Sequence, residues 1–220
     1  MPGNPIRLSS LAIALCLAAA CATPRESVVE SFAAAPNCCR AMSEFRFERL
    51  NLGDTVRFDL GAGSPAFAFE TGKSYFRAFA LPDARGYSVR VRSFMIGDQI
   101  DKAYLFFPHV VTLDAGYRVS RTMAPAAFEL RKAGFGETAK GTWGLPWKLE
   151  GTLRFDVENA DERYLVVLTT DALLERSTST ETLRIVPIIL PGIVTAIPTR
   201  REMVAVPHAP AGHLNVSVIP

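Results

Sequence analysis

The chain has 220 residues, of which 49% are hydrophobic and 21% are charged. This balance supports a buried core and excludes an intrinsically disordered chain. The formal net charge is only +2, so the basic surface that nucleic-acid binding requires is missing and we expect no nucleic-acid partner. Fifteen prolines, fifteen glycines and fourteen phenylalanines indicate many turns between short aromatic segments, which is typical of all-β proteins.

Residues 1–20 have the features of a secretory signal peptide. Arg7 is the only charged residue before Arg25, and it precedes thirteen apolar or small residues at positions 8–20. As a helix these would cover about 20 Å, which is less than the roughly 30 Å hydrocarbon core of a bilayer. The sequence therefore predicts export to the bacterial periplasm and not a stable membrane span.

Two modes of cleavage are possible at the end of this segment. Small residues followed by Cys21 resemble a bacterial lipobox, in which the cysteine is acylated and becomes the mature N-terminus, although Ala18 stands where leucine is usual. An ordinary signal peptidase could instead cut after Ala20 or Ala22. Several acyl chains on Cys21 would hold the protein on a membrane lastingly. Because Ala22 and not aspartate follows the cysteine, we expect the outer membrane as the place of anchoring.

The adjacent residues Cys38 and Cys39 would meet an oxidising environment after export. Their Cα atoms are held about 3.8 Å apart, below the usual 4.4–6.8 Å of a disulfide. The chain has no Cys-x-x-Cys motif, which argues against a redox site. A vicinal structural disulfide and two unreactive thiols both remain open.

The mature chain is predicted to be all-β, with a jelly-roll-like β-sandwich and a second, smaller β-rich domain. Residues 21–45 are expected to form an N-terminal tether with a brief helix over 25–35. Alternating apolar residues predict the sandwich domain over 46–124 and the C-terminal domain over 142–220. Between them, residues 125–141 are predicted to be a short helix over 125–132 and a glycine-rich linker.

The individual strands follow from runs of alternating or continuous apolar residues. They are predicted at residues 56–60, 67–69, 75–81, 89–92, 103–107, 110–113, 153–157, 164–168 and 214–218. Residues 185–197 are apolar but contain Pro187 and Pro191, which argues against a membrane helix. We expect a hairpin that turns near Gly192 and packs on the second domain. A docking edge for a partner or a membrane is the alternative.

Catalytic and metal-binding motifs are missing from the sequence. It contains neither H-E-x-x-H nor G-x-S-x-G, and no Cys or His set has zinc-ligand spacing. We therefore expect a protein without cofactor, metal or enzymatic activity. The enzyme alternative is a glycoside-processing site, which needs two carboxyl groups about 5–9.5 Å apart. The candidate carboxylates are Asp98, Asp101, Asp156 and Asp161.

Aromatic residues are better candidates for ligand binding. Trp143 and Trp147 flank an irregular Gly-Leu-Pro segment, and aromatic rings suit the apolar faces of sugars. Tyr75 lies in a predicted strand of the sandwich. We therefore predict Trp143, Trp147 and Tyr75 as ligand-binding residues, with burial at the domain junction as the alternative for the tryptophans.

Several segments resemble the maltose operon periplasmic protein family. They are Phe58-Asp59-Leu60, Gly63-Ser64-Pro65, Phe67-Ala68-Phe69, Gly72-Lys73-Ser74-Tyr75-Phe76, Ala80-Leu81-Pro82, Cys38-Cys39, Tyr164-Leu165-Val166-Val167 with Thr169-Thr170, and His208-Ala209-Pro210-Ala211-Gly212. The resemblance covers nearly all of the mature chain, roughly residues 37–220. It implies a periplasmic protein connected with maltose and maltodextrin uptake, and it implies no catalytic residues.

The sequence thus predicts an exported, lipid-anchored, non-enzymatic accessory protein of carbohydrate uptake. Its expected partners are maltodextrin or another saccharide, an outer-membrane or periplasmic protein, and the membrane through the N-terminal lipid. The alternative is an envelope structural or assembly lipoprotein that holds a protein partner through residues 185–197.

Overall fold

A computed structural model of the protein describes residues 24–134, 147–190 and 193–220, and for residues 183–190 and 193–200 it describes the backbone alone. The described helices are α1 (Arg25–Ala34) and the single turn α2 (Asp171–Leu174). The strands, numbered in chain order, are β1 (Phe47–Arg49), β2 (Thr55–Leu60), β3 (Ala66–Phe69), β4 (Gly72–Tyr75), β5 (Arg77–Ala80), β6 (Tyr87–Phe94), β7 (His109–Asp114), β8 (Val119–Thr122), β9 (Glu129–Lys132), β10 (Trp147–Phe155), β11 (Glu162–Leu168), β12 (Ser177–Leu190), β13 (Ile193–Pro207) and β14 (Gly212–Ile219).

Two five-stranded sheets form a β-sandwich, which confirms the predicted all-β class. The first sheet has the strand order β1-β5-β11-β7-β8, and the second has the order β2-β14-β6-β10-β9. The pair β1 and β5 is parallel, whereas the other neighbours in both sheets are antiparallel. The main hydrophobic core joins the two sheets, with Phe79 and Leu165 from the first and Val91 and Leu214 from the second.

Alternation along each strand decides which residues enter this core. In β6, Val89 and Val91 are fully buried, and Arg90 and Arg92 alternate with them on the opposite face. Each buried valine or leucine contributes roughly 1.5–3 kcal/mol relative to an exposed one. On the polar face, the Nε of Arg92 donates to Glu150 on β10 at 2.7 Å. The second sheet therefore has one apolar face toward the core and one polar face, on which Arg92 and Glu150 form an ion pair.

The outer face of the first sheet carries a second hydrophobic cluster. Phe45 lies at its centre, with ring centroids 5.0 Å from Phe67 and 4.1 Å from Phe76. The antiparallel hairpin of β3 and β4 contributes to this cover. We call the rings on this face the aromatic cluster, and its members are Phe45, Phe47, Phe67, Phe69, Phe76 and Tyr164. The first sheet is thus covered on both faces.

Cys38 and Cys39 form a disulfide, the first of the two states that the sequence left open. The backbone N–H of Cys38 donates to the carbonyl oxygen of Ala66 at 2.8 Å, and Cys39 packs against the aromatic cluster. The bridge therefore lies in a segment that is fixed against β3.

Helix α1 is docked on the sandwich. Val28 is buried against Ile96 and Tyr104. The ammonium group of Lys73 donates to three carbonyl oxygens at the end of the helix, those of Phe32, Ala33 and Ala35, and thereby caps its C-terminus. The predicted helix is confirmed, and residues 24–45 of the predicted tether are held on the body of the protein.

The strands of the two predicted domains interleave. In the second sheet β14 lies between β2 and β6, and in the first sheet β11 lies between β5 and β7. The described residues therefore do not divide at 125–141 into the two predicted domains. Local alternation does not reveal these pairings, because they join residues that are from 48 to 162 positions apart in the chain.

The helix predicted over 125–132 is wrong beyond its first turn. Pro125–Ala127 form a single 3₁₀ turn, and β9 follows and pairs with β10. A helix this short is marginal without tertiary packing, whereas Phe128 is buried in the main core. Residues 135–141 of the predicted linker lie outside the described residues.

Two predicted strands also need correction. The strand predicted over 75–81 is broken at Phe76, whose N–H donates to Pro65 at 3.1 Å instead of continuing a ladder. Residues 103–107 form only isolated bridges, between Tyr104 and Ile96 and between Leu105 and His208. Both segments are buried by tertiary contacts. Their apolar residues therefore indicate burial in the core and not pairing in a strand.

The strand pairing of the hairpin predicted around residues 185–197 is confirmed and is longer than expected, whereas its packing on a second domain stays a prediction. β12 and β13 pair with each other along their whole length and form a separate two-stranded sheet. Thr180 and Val206 near its base are buried. Pro191 and Gly192, where the turn was predicted, lie outside the described residues. Among the described helices, none is long and apolar enough to cross a membrane.

His208 fastens the base of this hairpin and should make stability depend on pH. Its Nδ1 lies 2.6 Å from the carbonyl oxygen of Leu173, and its Nε2 lies 2.8 Å from the Thr178 hydroxyl. The carbonyl can only accept, so Nδ1 carries the proton and Nε2 accepts from the hydroxyl. Burial lowers the pKa of His208 below its ordinary value of 6.5.

Since the folded protein binds this proton less readily than the unfolded chain, stability is full above about pH 6.5 and falls as the pH drops below it. We expect the urea midpoint to fall between pH 7.5 and pH 5.5, and His208→Gln to reduce that fall. Burial also lowers the pKa of His109. Comparison with His109→Gln therefore shows how much of the fall in the urea midpoint comes from each histidine. A fall that is unchanged in both variants would contradict the assignment.

Candidate functional site

A cleft opens over the outer face of the first sheet. Its volume is about 680 Å³, within the usual range of small-molecule sites. Val111 and Leu168 of the first sheet line it together with the β3–β4 hairpin and the turn between β7 and β8. We call it the aromatic cleft, and its principal residues are Met42, Phe67, Phe69, His109, Tyr117 and Arg118.

Aromatic rings form one wall of this cleft. Phe67 and Phe69 are two positions apart on β3 and therefore share a face of the strand. Their ring centroids are 4.9 Å apart in an edge-on arrangement, and Phe45 supports both from behind at 5.0 and 6.0 Å. Both rings are half-buried. They are held by the aromatic cluster and still present surface to the cleft.

Tyr117 contributes a third ring from the β7–β8 turn. Its φ is +62°, and among the described residues it is the only non-glycine residue with a positive φ. A side chain in this conformation costs roughly 1–3 kcal/mol, and such strain occurs most often at functional sites. The ring is stacked on Tyr164 at 5.1 Å and on Phe47 at 5.8 Å. The backbone and the stacking together fix the ring at the mouth of the cleft.

Asp114 holds the turn that carries Tyr117. Its Oδ1 accepts the backbone N–H of Gly116 at 2.7 Å and that of Arg118 at 2.9 Å. Its Oδ2 accepts the Nε of Arg118 at 3.0 Å. The hydrogen bond from the Arg118 backbone is the largest cause of the lowered pKa of Asp114. The carboxylate is therefore charged at neutral pH and keeps the turn closed.

Polar groups surround the rings. His109 begins β7 and lines the cleft, and because burial lowers its pKa the imidazole is neutral at pH 7, with one donor and one acceptor. The Arg118 side chain is 83% exposed and offers donors at one rim. Glu70 and Thr71 stand on the β3–β4 turn. The cleft can therefore stack an apolar face and hydrogen-bond hydroxyl groups at its edges.

The β3–β4 turn is fixed at Gly72, and substitution there should loosen the rim. Gly72 has a φ of +112°, and an added Cβ would lie 2.2 Å from the carboxylate carbon of Asp171. The N–H of Asp171 donates to Thr71 at 3.1 Å. We expect Gly72→Ala to lower the free energy of unfolding by about 2 kcal/mol or more, through backbone strain and displacement of Asp171.

Gly53→Ala is the matched control for Gly72→Ala, since Gly53 has a φ of +83° with no atom within 4 Å of the added Cβ. It measures the cost of the backbone conformation alone. Equal losses in the two variants, determined by urea denaturation, would show that the contact with Asp171 contributes nothing.

A second cavity, of about 540 Å³, lies between the end of α1 and the turn before β3. Cys38 and Tyr75 line it, together with small residues such as Ser64. Tyr75 is only 1% exposed, and its hydroxyl donates to the carbonyl oxygen of Ser31 at 3.2 Å. The ring of this predicted binding residue is thus enclosed, and it fastens α1.

Trp147, another predicted binding residue, does not line the aromatic cleft either. Trp147 begins β10, packs against the main core, and has the Lys132 ammonium 5.6 Å from its ring centroid. Trp143 and the predicted lipidation site Cys21 lie outside the described residues. Neither Tyr75 nor Trp147 therefore forms part of the aromatic cleft.

The four candidate carboxylates have ordinary structural positions. Asp98 and Asp101 are exposed around the 3₁₀ turn Ile100–Lys102. Asp156 caps the 3₁₀ turn Val157–Asn159, and Asp161 accepts from Ser120 at 3.4 Å. None of the four lines the two cavities described above. Within the part of the chain that the structure describes, no group of three His, Cys, Asp or Glu side chains could hold a metal ion.

The sequence did not predict Tyr117 and Arg118 as residues of a binding site. Asp114 and Gly116 are a recognisable turn signal, but the sequence does not show that this turn lies beside Phe67 and Phe69. That proximity comes from the placement of the β3–β4 hairpin over the first sheet, which is a tertiary property.

Comparison with known proteins gives one match. A family model described as "Maltose operon periplasmic protein precursor (MalM)" matches residues 71–218. This range includes His109, Tyr117 and Arg118 of the cleft, whereas Phe67 and Phe69 precede it. No curated protein and no solved structure matches the chain significantly.

Proposed function

The chain belongs to the maltose operon periplasmic protein family, and from this premise we propose that it is an exported, non-enzymatic accessory protein of maltodextrin uptake that binds the saccharide in the aromatic cleft. The family is periplasmic and associated with the maltose operon. The observation that carries the proposal is the cleft itself, where Phe67, Phe69 and Tyr117 present rings beside the hydrogen-bonding groups of His109 and Arg118.

The composition of the cleft favours binding over catalysis. Glucose units have an apolar face that stacks on aromatic rings and a rim of hydroxyl groups that need donors and acceptors. Among the residues lining the cleft, Glu70 is the only carboxylate, whereas glycoside hydrolysis ordinarily requires two. A neutral His109 can hydrogen-bond a hydroxyl without a charge to desolvate. These features support a role in capture or transfer of the saccharide.

We also propose that Cys21 anchors the protein to the outer membrane. The support is the small-residue run before Cys21 and the absence of an aspartate after it. Intact-mass measurement of the protein purified separately from outer and inner membranes tests the acylation and its location together, and we expect the protein in the outer-membrane fraction. We expect a mature chain that begins at Cys21 and carries acyl mass. A chain that begins at Cys21 or Thr23 without acyl mass would overturn the anchor and leave the saccharide site unaffected.

Direct binding is tested with the chain from Ala22 onward, which contains every described residue. Maltodextrins of increasing length are titrated into it by isothermal calorimetry, with cellodextrins of equal length as the stereochemical control. We expect saturable binding of the maltodextrins and a rise in melting temperature, because a ligand that binds only the folded state stabilises it. Absence of heat and of a thermal shift would overturn the proposal.

A further inference from the structure

Strand β2 is an edge of the second sheet, and its outer side has no strand partner in the described chain. The other edge strands are shorter, since β1 has three residues and β8 and β9 have four each. The pairing of β8 with β7 is also interrupted by a shift of register. Short strands, bulges and prolines protect sheet edges against pairing with another chain. β2 has six residues, an uninterrupted register with β14 and no proline, so it lacks these three protections.

Alternate residues of β2 turn their backbone groups toward this open side. The N–H of Val218 donates to the carbonyl oxygen of Asp54 at 2.8 Å, which makes these two residues a hydrogen-bonded pair of the antiparallel ladder. Bonded and unbonded pairs alternate along such a ladder, so every second residue after Asp54 has its N–H and C=O directed away from β14. These residues are Thr55, Arg57 and Asp59. The Ser64 hydroxyl, 3.4 Å from the carbonyl oxygen of Asp59, is the one described partner of these groups.

The side chains of β2 give the open edge an apolar face and a charged face. Val56 and Phe58 pack against the main core and are half-buried, so another strand beside β2 would cover more of their apolar surface. Arg57 and Asp59 stand on the opposite face and are exposed. The Asp59 side chain is 77% exposed although its Oδ1 contacts His213. An added strand would therefore find backbone groups, apolar surface and two opposite charges.

We propose that β2 pairs antiparallel with β2 of a second copy of this chain, with Phe58 opposite Phe58 at the two-fold axis. In this register each Arg57 stands opposite Asp59 of the other copy, and the contact occurs twice, as an isologous dimer requires. Positions 57 and 59 both direct their backbone groups outward, so they form the hydrogen-bonded pairs. Phe58 falls on an unbonded pair, where opposed side chains approach most closely.

The two charges select this register and this partner. A shift of one copy by two residues in one direction places Arg57 opposite Arg57, and a shift in the other direction places Asp59 opposite Asp59. Like charges directly opposite each other destabilise a strand pair, whereas opposite charges stabilise it. The segment Arg57-Phe58-Asp59 is thus complementary to itself in the antiparallel direction, which favours a second copy over an unrelated protein. The two five-stranded sheets would then form one continuous sheet.

Sedimentation equilibrium of the chain from Ala22 onward tests the dimer without saccharide and without a lipid anchor. We expect a reversible dimer between about 1 µM and 1 mM, the range of weak association through a small interface. Arg57→Asp places two acidic residues opposite each other at two positions of the dimer. It should weaken association about thirtyfold or more, which corresponds to about 2 kcal/mol. Asp59→Arg places two basic residues opposite each other and should have the same effect.

Mixing these two variants tests the register itself. In a mixed dimer of Arg57→Asp and Asp59→Arg, both cross-strand pairs again join opposite charges. We therefore expect the mixture to dimerise although neither variant does so alone at the same concentration. A chain that carries both substitutions should recover association to within about threefold of the original chain. Thermal melting checks that each variant is folded.

A third pair of variants tests strand pairing as distinct from a contact between charges. Arg57→Gln removes the charge and keeps the amide, and it should weaken association about fivefold. Arg57→Pro removes the outward amide as well, so two hydrogen bonds of the dimer are lost and association should weaken about tenfold more. The proline is tolerated in the folded chain because this amide makes no bond to β14.

Arg154→Asp is the matched control, since it makes the same change of charge on β10 at a side chain that is 79% exposed. It should change association less than threefold. A chain that stays monomeric up to about 1 mM, a mixture of folded charge variants that does not dimerise, or equal weakening by Arg57→Gln and Arg57→Pro would overturn the proposal. The maltodextrin titration and the intact mass do not depend on these results, so failure of the dimer and failure of the proposed function are distinguishable.

Discussion

Replacing Gly212 with alanine should lower the free energy of unfolding by about 3 kcal/mol, as expected for severe overpacking of a core. An added Cβ would lie 2.3 Å from the Cβ of Phe106 and 3.2 Å from its Cγ. Phe106 is fully buried, and its carbonyl oxygen accepts from the Ser93 hydroxyl. Neither the ring nor the backbone can move aside without disturbing the second sheet, where Gly212 pairs with Leu60.

The control for Gly212→Ala is Gly61→Ala, at the residue that follows Leu60, the strand partner of Gly212. At Gly61 an added Cβ would meet only the Cβ of Ala211 at 3.5 Å, an ordinary contact, and Gly61 has no positive φ. Gly61→Ala should therefore change the free energy of unfolding by less than about 0.5 kcal/mol. Urea denaturation at neutral pH measures both variants. A loss below 1 kcal/mol in Gly212→Ala would show that β14 packs differently against Phe106.

Replacing Tyr117 with glycine should weaken maltodextrin binding about tenfold or more while the fold persists. The substitution removes a ring at the mouth of the cleft, and tyrosines at such positions commonly contribute more than 1.4 kcal/mol. It also relieves the positive φ of +62°, which glycine adopts freely. That relief offsets part of the stacking lost with Tyr164 and Phe47, so we expect unfolding free energy to change by only about 1 kcal/mol.

Two further variants locate the saccharide site by calorimetry. Tyr117→Phe keeps the ring and the backbone strain, and it should retain affinity within about threefold. Trp147→Phe tests the site predicted from the sequence, and because Trp147 does not line the cleft it should leave affinity unchanged. Full affinity in Tyr117→Gly, or a loss confined to Trp147→Phe, would place the saccharide elsewhere.

Local patterns predicted the parts of the fold that depend on neighbouring residues. Val56, Phe58 and Leu60 alternate with polar residues, and β2 is there. The same holds for Val89 and Val91 in β6. Helix α1 followed from its bounding prolines, and the vicinal disulfide was one of two alternatives. In each case the prediction rests on the periodicity of apolar residues, or on the spacing of prolines or cysteines, within a short segment of the chain.

The parts that failed depend on contacts between distant residues. Residues 125–132 have helix-like ends, but pairing with β10 and burial of Phe128 outweigh that local preference. The enclosure of Tyr75, whose ring packs edge-on with Phe32 of α1 at 5.2 Å, was likewise not predicted from the sequence, and its role in ligand binding stays a prediction. The aromatic cleft was not predicted, because it forms only where the β3–β4 hairpin and the β7–β8 turn meet over the first sheet.

The position of β14 has a consequence for how the protein matures. This strand comes last in the described chain and fills the gap between β2 and β6, so the earlier strands of the second sheet cannot close around it during synthesis. The second sheet therefore stays open until β14 is delivered, and an open chain is the state that export through a channel for unfolded polypeptides requires. Sheet closure then depends on the most distant pairings and is expected to be slow, which leaves time for passage before the sandwich forms.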